Sequence, residues 1–267
     1  MNRETSQWLI PALLAIAAAA ALWYYWLYTR EPAEMPEAAP VAEEPERPEA
    51  PAGPAHPITE PQPPADRSHL RPLPPLEDSD EYFRLEMAGL FGDRVGELLV
   101  SSRVIERIVA TVDNLPRAHV AERIRPVERL DGDFLVDGQD GSGEFTMSPD
   151  NHRRYDALVN LATAVDVNAL ADAYRRYYPL FQKAYRDLGY PNAYFNDRLI
   201  EVIDHLLQTP GTEGPVALTR PHVLYQYADP ELEARSSGQK LLMRMGNEHA
   251  ARIKAALRAL RERIVAE

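Results

Sequence analysis

The sequence predicts a mainly α-helical domain preceded by a membrane anchor and a proline-rich linker. Three observations predict it: an uncharged stretch near the N-terminus, a proline-rich acidic stretch after it, and apolar residues at helical spacing beyond residue 75. Apolar residues recurring every three or four positions indicate helices with one buried face. We expect a transmembrane anchor at 1–30, a disordered Pro/Glu-rich linker at 31–75 and a single helical domain at 76–267. Within that domain we expect one short β-hairpin, with one extra strand as an alternative.

The predicted anchor is residues 8–28, which carry no charge and have charged residues on both sides. A helix of this length rises about 30 Å, enough to cross the hydrocarbon core of a bilayer. Tryptophan and tyrosine stand at its two ends, as expected at membrane interfaces. A cleaved signal peptide is the main alternative, because the alanines at 17–21 offer an A-x-A-like cleavage site. The sequence favours a single-pass helix, with the lipid bilayer as the partner of residues 8–28.

The predicted linker contains 14 of the 24 prolines and nine carboxylates. Such a composition buries too little apolar surface to offset the entropy of ordering, so we expect an extended spacer rich in polyproline II. A proline-rich ligand for a partner is the alternative. The spacer is acidic and free of lysine, which argues against the cytoplasmic side of a membrane. We therefore expect the C-terminal domain outside the cytoplasm; an inverted anchor with a cytoplasmic domain is the alternative.

Composition excludes several classes of protein. The chain has 267 residues and no cysteine, which removes disulfide frameworks, cysteine-ligated metals and thiol nucleophiles. Its formal net charge of -12 argues against nucleic acid, whose phosphates favour a basic surface.

Helical signals dominate the predicted domain, taken in order. We expect a helix at 82–91 capped by Ser79 or Asp80, and one continuous helix at 95–112. A Gly/Asp cluster between two short apolar runs predicts a hairpin within 131–147. Further helices are predicted at 151–163, 166–188 (broken or kinked just before Pro179), 196–207, 237–245 and 247–265. Alternating residues at 216–227 suit a short strand or an extended segment.

Two sets of side chains are candidates for binding. Tyrosines at 174, 178, 185 and 190 share one broad region and could stack on a ligand such as a glycan, although such stripes are more often core. We take Tyr174, Tyr178, Tyr185 and Tyr190 as the candidate ligand-binding residues. The last predicted helix has a basic face that could meet an acidic partner, and its candidate partner surface is Arg252, Lys254, Arg258 and Arg261.

The sequence contains only weak matches to catalytic or metal-binding motifs. Ser237 and Lys240 match the S-x-x-K spacing, but the accompanying elements of that active site are missing. The serine pair Ser236 and Ser237 is explained by helix capping, with one of the two as the cap. The acidic residues around the predicted hairpin do not follow the spacing of a calcium-binding loop. The histidines lack a zinc-binding spacing. We therefore assign no catalytic residue, no metal ligand and no cofactor.

Six motifs together resemble one bacterial family. They are Asp113-Asn114-Leu115-Pro116, Tyr174-x-x-x-Tyr178-Pro179-Leu180-x-x-x-Tyr185, Leu188-Gly189-Tyr190-Pro191, Asp204-His205-Leu206-Leu207, Tyr227-Ala228-Asp229-Pro230-x-Leu232-Glu233 and Gly238-Gln239-Lys240-Leu241-Leu242-x-Arg244-Met245-Gly246. The domain is similar to the family catalogued as domain of unknown function 3014. The resemblance implies a Gram-negative envelope protein and carries no activity or ligand with it.

The function expected from these observations is that of a membrane-tethered envelope scaffold or adaptor, which binds another protein or the cell-wall polymer. A non-enzymatic protein is favoured. The alternative is an envelope hydrolase using Asp, Glu or His near the tyrosine-rich region. We expect the chain in the bacterial inner membrane as a single-pass protein with a periplasmic C-terminal domain.

Overall fold

The computed structural model describes residues 53–58, 72–129, 132–138, 145–221 and 223–265. All of them belong to the structural unit Ala50–Glu267. The predicted anchor at 8–28 and most of the predicted linker lie outside the described residues. Within the described ranges, no helix combines the length and the apolar character needed to cross a bilayer.

The described part of the chain is mainly helical, as predicted, with a small antiparallel sheet. The α-helices are α1 (Asp80–Phe91), α2 (Val95–Leu98), α3 (Val104–Asn114), α4 (Asp156–Ala164), α5 (Val167–Asp187), α6 (Phe195–Leu207), α7 (Pro230–Glu233), α8 (Ser237–Arg244) and α9 (Asn247–Val265). The strands are β1 (Val136–Gly138), β2 (Phe145–Met147), β3 (Ala217–Thr219) and β4 (Gln226–Tyr227). Short 3-10 helices occupy Leu76–Asp78, Glu122–Ile124 and Pro149–Tyr155.

Helix α5 is the central element and is continuous through Pro179, so of the two predicted outcomes, a break or a kink, the break does not occur. Proline inside a helix costs about 3 kcal/mol because it removes one hydrogen bond and crowds the preceding turn. Pro179 itself is exposed, whereas Tyr177, Leu180 and Phe181 on either side of it are buried in the largest core cluster. Packing of these large side chains holds the helix together across the proline.

The predicted helix at 95–112 is wrong in one respect, because the structure divides it into α2 and α3. Arg103 precedes α3 with a left-handed φ of 56°. The guanidinium of Arg84 in α1 donates hydrogen bonds to the carbonyls of Gly96, Leu99 and Val100 at 2.7–3.0 Å. These bonds satisfy carbonyls that a continuous helix would have paired internally, so they stabilise the break.

Asp80 shows a different role from the one predicted. Neither Ser79 nor Asp80 caps α1 with its side chain; the Ser79 hydroxyl donates to the carbonyl of Leu76. The Asp80 carboxylate instead accepts the backbone N–H groups of Arg103 and Val104, at 2.7 and 2.8 Å. The first residue of α1 therefore caps the start of α3.

Helix α9 packs against α4, α5, α6 and α8 and covers the second core cluster. Its bounds match the predicted 247–265, and Ile253 and Leu257 of its apolar stripe pack on that cluster. The helix predicted at 151–163 begins instead as the 3-10 helix Pro149–Tyr155 and becomes α-helical at Asp156. Asn151 is fully buried there, and its amide bonds to both the N–H and the carbonyl of Leu135.

The sheet contains more than the predicted hairpin. Strands β1 and β2 pair antiparallel, as predicted, with Val136 opposite Met147. The segment predicted as a single strand or extended piece at 216–227 forms two strands, and the sheet order is β1-β2-β3-β4. One face buries Phe145, Leu218 and Tyr227 against Met243. A local alternating pattern could not show that this segment turns back on itself.

Candidate functional site

The most distinctive contact of the structure joins residues 53–58 to the first turn of α6. The Asp197 carboxylate accepts the backbone N–H of Ala55 at 3.0 Å and that of His56 at 2.7 Å. The side-chain amide of Asn196 donates to the carbonyl of His56 at 2.8 Å. We call Asn196 and Asp197 the backbone clasp, because all three bonds reach main-chain atoms of the held segment.

Residues 53–58 lie within the stretch 31–75, which the sequence predicts to be a disordered spacer because its apolar content is low. In the structure, the backbone of Ala55 and His56 forms hydrogen bonds with two polar side chains of the helical domain. Hydrogen bonds to the backbone do not depend on apolar content, so composition does not reveal this contact.

Tyr174 and Gln182 position the clasp. The Tyr174 phenol donates to the side-chain oxygen of Asn196 at 3.0 Å, which leaves the Asn196 amide N–H group directed at the held segment. Burial, with smaller contributions from Tyr178 and Asp197, raises the pKa of Tyr174 well above its ordinary value, so the phenol stays a donor. The buried Gln182 accepts from the N–H of Phe195 at 2.9 Å and thereby fixes the start of α6.

The remaining contacts of Gln182 tie the same region together. Its oxygen also accepts the Tyr178 hydroxyl at 2.9 Å, and its amide donates to the carbonyl of Ala193 at 2.8 Å. Burial raises the pKa of Tyr178 as well. Two of the four predicted ligand-binding tyrosines, Tyr174 and Tyr178, thus lie beside the clasp and support it through hydrogen bonds.

Of the other two predicted tyrosines, Tyr190 belongs to an ion cluster around the buried Asp113, and Tyr185 packs beside it. The rings of Tyr185 and Tyr190 stack with centroids 4.7 Å apart, and Tyr185 is only 4% exposed. The Tyr190 hydroxyl donates to the Asp113 carboxylate at 3.2 Å. Burial, together with the charge of Asp113, raises the pKa of Tyr185 to about 12. Tyr185 is therefore core, and the structure does not join all four tyrosines into one open groove.

Asp113 is the centre of that cluster and is 3% exposed. Its carboxylate accepts from Arg198 at 3.0 Å and from Arg117 at 2.9 Å, and Arg198 also donates to its backbone carbonyl. The cluster links α3 to α6, with Tyr190 from the preceding loop. Because every oxygen of the carboxylate has a donor, its geometry is that of a structural ion pair.

The S-x-x-K pattern forms no Ser–Lys pair. Ser236 caps α8 by accepting the N–H of Gln239, and its hydroxyl lies 2.8 Å from a ring nitrogen of His205. Lys240 bonds instead to the Glu233 carboxylate at 2.9 Å. The capping interpretation of this serine pair is confirmed at Ser236. Within the described ranges, no three His, Asp or Glu side chains are grouped to hold a metal ion.

Three of the four basic residues predicted as a partner surface make contacts within the chain. Arg252 donates to Asn160 and Thr163 of α4, each at 2.8 Å. Lys254 donates to the carbonyl of Thr209 after α6. Arg261 and Asp204 form a two-point pair at 2.6 and 2.9 Å. Arg258 is exposed. The basic face thus fastens α9 to its neighbours, and Arg258 is the member left on the surface.

Sequence reasoning missed Asn196, Asp197 and Gln182. Asn and Asp in a first helical turn are ordinary helix-start residues, since they complement the positive end of the helix dipole. The residues that Asp197 holds lie 141 and 142 positions earlier, which no local pattern records.

A family model described as protein of unknown function (DUF3014) matches residues 104–261. The matched region includes both clasp residues and the Asp113 cluster, whereas the held segment at 53–58 precedes it. Comparison with curated proteins and comparison with solved structures each gave no match. The match spans more than half of the 267 residues and agrees with the six motifs, so the chain belongs to the DUF3014 family of proteins of unknown function.

Proposed function

We propose that this protein is a non-catalytic envelope scaffold or adaptor whose helical domain binds a short peptide segment of another protein at the backbone clasp. One observation supports this proposal above others: the clasp already holds a short piece of polypeptide through three side-chain-to-backbone hydrogen bonds. A site that holds peptide backbone of one sequence has the donors and acceptors to hold another.

The chemistry of the clasp favours a protein over the cell-wall polymer as the partner. Asp197 accepts two consecutive amide N–H groups and Asn196 donates to the carbonyl of His56, so the groups recognised are those of a peptide backbone bent at Ala55 and His56. Bonds to a charged acceptor contribute about 1.5–3 kcal/mol each when water is excluded, and less at an exposed site such as that of Ala55. Such a site gives moderate affinity and little side-chain selectivity, which suits an adaptor that is concentrated by a tether.

In this proposal residues 8–28 hold the protein in the bacterial inner membrane, and the domain lies in the periplasm. The length, lack of charge and aromatic ends of that stretch support it. A reporter enzyme that is active only in the periplasm, fused after residue 267, should be active. Activity of a cytoplasm-only reporter at the same position would instead establish the inverted orientation.

Partner binding is tested by crosslinking cells that express the tagged full-length chain, purifying the membrane fraction and identifying the co-purified proteins by mass spectrometry. We expect at least one envelope protein to be recovered with the wild type and lost with Asp197→Ala. The matched control is Asp187→Ala, which removes an exposed carboxylate at the end of α5 and should keep the partner. Recovery of the same proteins with wild type and Asp197→Ala would contradict a role for the clasp; recovery of cell-wall fragments alone would favour the polymer.

A further inference from the structure

The segment held by the clasp has the features of a built-in ligand. Ala55 and His56 supply the two N–H groups that Asp197 accepts, and Pro54 and Pro57 stand directly before and after them. Proline fixes its own φ and narrows the conformations open to the residue before it, so Pro57 limits those of His56. The flanking prolines thereby lower the conformational entropy that binding must remove. The two amides are presented as a short, stiff unit.

The three hydrogen bonds to this unit do not involve its side chains. All three end on main-chain atoms of Ala55 and His56; Ala55 is exposed and His56 is half-buried. On the other side of the contact, Asn196 is fully buried and receives the Tyr174 hydroxyl on its oxygen. Tyr174 thereby holds the Asn196 amide N–H group toward the position of the His56 carbonyl. The clasp is therefore prepared for a backbone carbonyl at this position.

Resting on the proposed function, we propose that residues 53–58 are an intramolecular competitor of the partner peptide. The same Asp197 oxygens cannot accept the amides of two peptides at once, so the segment must leave before a segment of a partner binds. The chain itself connects the competitor to the domain through residues 59–71. A ligand on such a short connection has an effective concentration on the order of millimolar.

The expected effect follows from that concentration. A competitor in the same chain weakens an external ligand by the factor one plus its effective concentration divided by its own dissociation constant. With an intrinsic dissociation constant of about 0.1 mM, reasonable for three hydrogen bonds, the factor is on the order of tenfold. The contact thus sets a threshold that a partner must exceed in affinity or in local concentration.

The test uses the full-length chain and a fluorescent synthetic peptide with the sequence of residues 50–60. The double variant Ala55→Pro/His56→Pro removes both N–H groups from the chain's own segment and leaves the clasp intact. We expect it to bind the peptide about tenfold more tightly than the wild type does. The control Ala55→Ser/His56→Ala changes both side chains but keeps both N–H groups, and it should bind like the wild type. Asp197→Ala in the double variant should remove the binding. Equal affinities of wild type and double proline variant would overturn the proposal.

Amide hydrogen exchange gives a second, independent measurement. The N–H groups of Ala55 and His56 should exchange more slowly in the wild type than in Asp197→Ala, and exchange at the same rate in both would also overturn the proposal.

The adaptor proposal and the competitor proposal can be rejected independently. If a partner depends on Asp197 in cells but the double proline variant has no tenfold effect, the adaptor function stands and the competitor proposal is wrong. If the double proline variant has the tenfold effect but no partner depends on Asp197, the intramolecular contact stands and the adaptor proposal is wrong.

Discussion

Replacing Asp113 by alanine should destabilise the domain by about 3 kcal/mol. The carboxylate is 3% exposed and pairs with Arg198, whose side chain is only 18% exposed. Removing one partner of a buried ion pair costs about 3–5 kcal/mol, because the remaining charge is left without compensation. Arg198 keeps an ion pair with the exposed Glu201, and Arg117 is half exposed, so we take the lower end of that range.

Chemical and thermal denaturation followed by circular dichroism measure this effect. For a domain of this size, 3 kcal/mol corresponds to a fall in melting temperature of about 6–12 °C. The matched control is Asp204→Ala, which removes an aspartate with an equally good arginine partner at the surface, where both side chains are more than 30% exposed. Surface pairs contribute about 0–1 kcal/mol. The reasoning is refuted if the two variants lose the same stability.

Three further predictions concern packing, the helix break and pH. Gly238→Ala should destabilise by about 1–3 kcal/mol, because a Cβ there would lie 2.7 Å from a methyl of Leu206; urea denaturation measures the loss. Arg84→Lys should cost about 1–2 kcal/mol by the same assay, since an ammonium cannot reach three carbonyls with the planar fork of arginine. Burial, and then the charge of His249, lower the pKa of His152 below its ordinary value of 6.5. The unfolded state therefore binds this proton more readily, and stability should fall as the pH drops below about 6.5.

Matched controls separate these mechanisms from general effects of substitution. Gly89→Ala, in an exposed part of α1 with nothing near the new Cβ, should stabilise by about 0.4–1 kcal/mol. Arg94→Lys, at an exposed position, should leave stability unchanged within about 0.5 kcal/mol. His152→Gln should show a smaller loss of stability between pH 7.5 and 5.5 than the wild type; an equal loss would assign the effect to other groups.

The helices were predictable because helical periodicity reports burial. The stripe of α9 and the bounds of α6 depend on which face is apolar, and the sequence carries that information directly. The features that were not predicted correctly depend on contacts between residues distant in the sequence. The break before α3 depends on Arg84, and the continuity of α5 through Pro179 depends on neighbours buried in a core formed by several helices. Neither contact leaves a local pattern.

The candidate site shows the same limit. Two of the four predicted ligand-binding tyrosines, Tyr174 and Tyr178, lie beside the clasp. The clasp itself consists of two common polar residues, Asn196 and Asp197, whose importance comes from what the chain brings to them from far upstream. The basic face of α9 is predictable from the charges in the sequence. Its contacts with a carbonyl and a carboxylate elsewhere in the chain depend on the fold and are not predictable from the sequence.

The position of Asp80 couples two helices that sequence alone treats as separate. Its carboxylate satisfies two N–H groups at the start of α3, while its own backbone begins α1. Fraying of the first turn of α1 removes the cap of α3, so the two helix starts should open in one cooperative step. Native-state hydrogen exchange would then give the amides of both first turns a common opening free energy. The region around Arg103, with its left-handed backbone, would unfold as part of that unit.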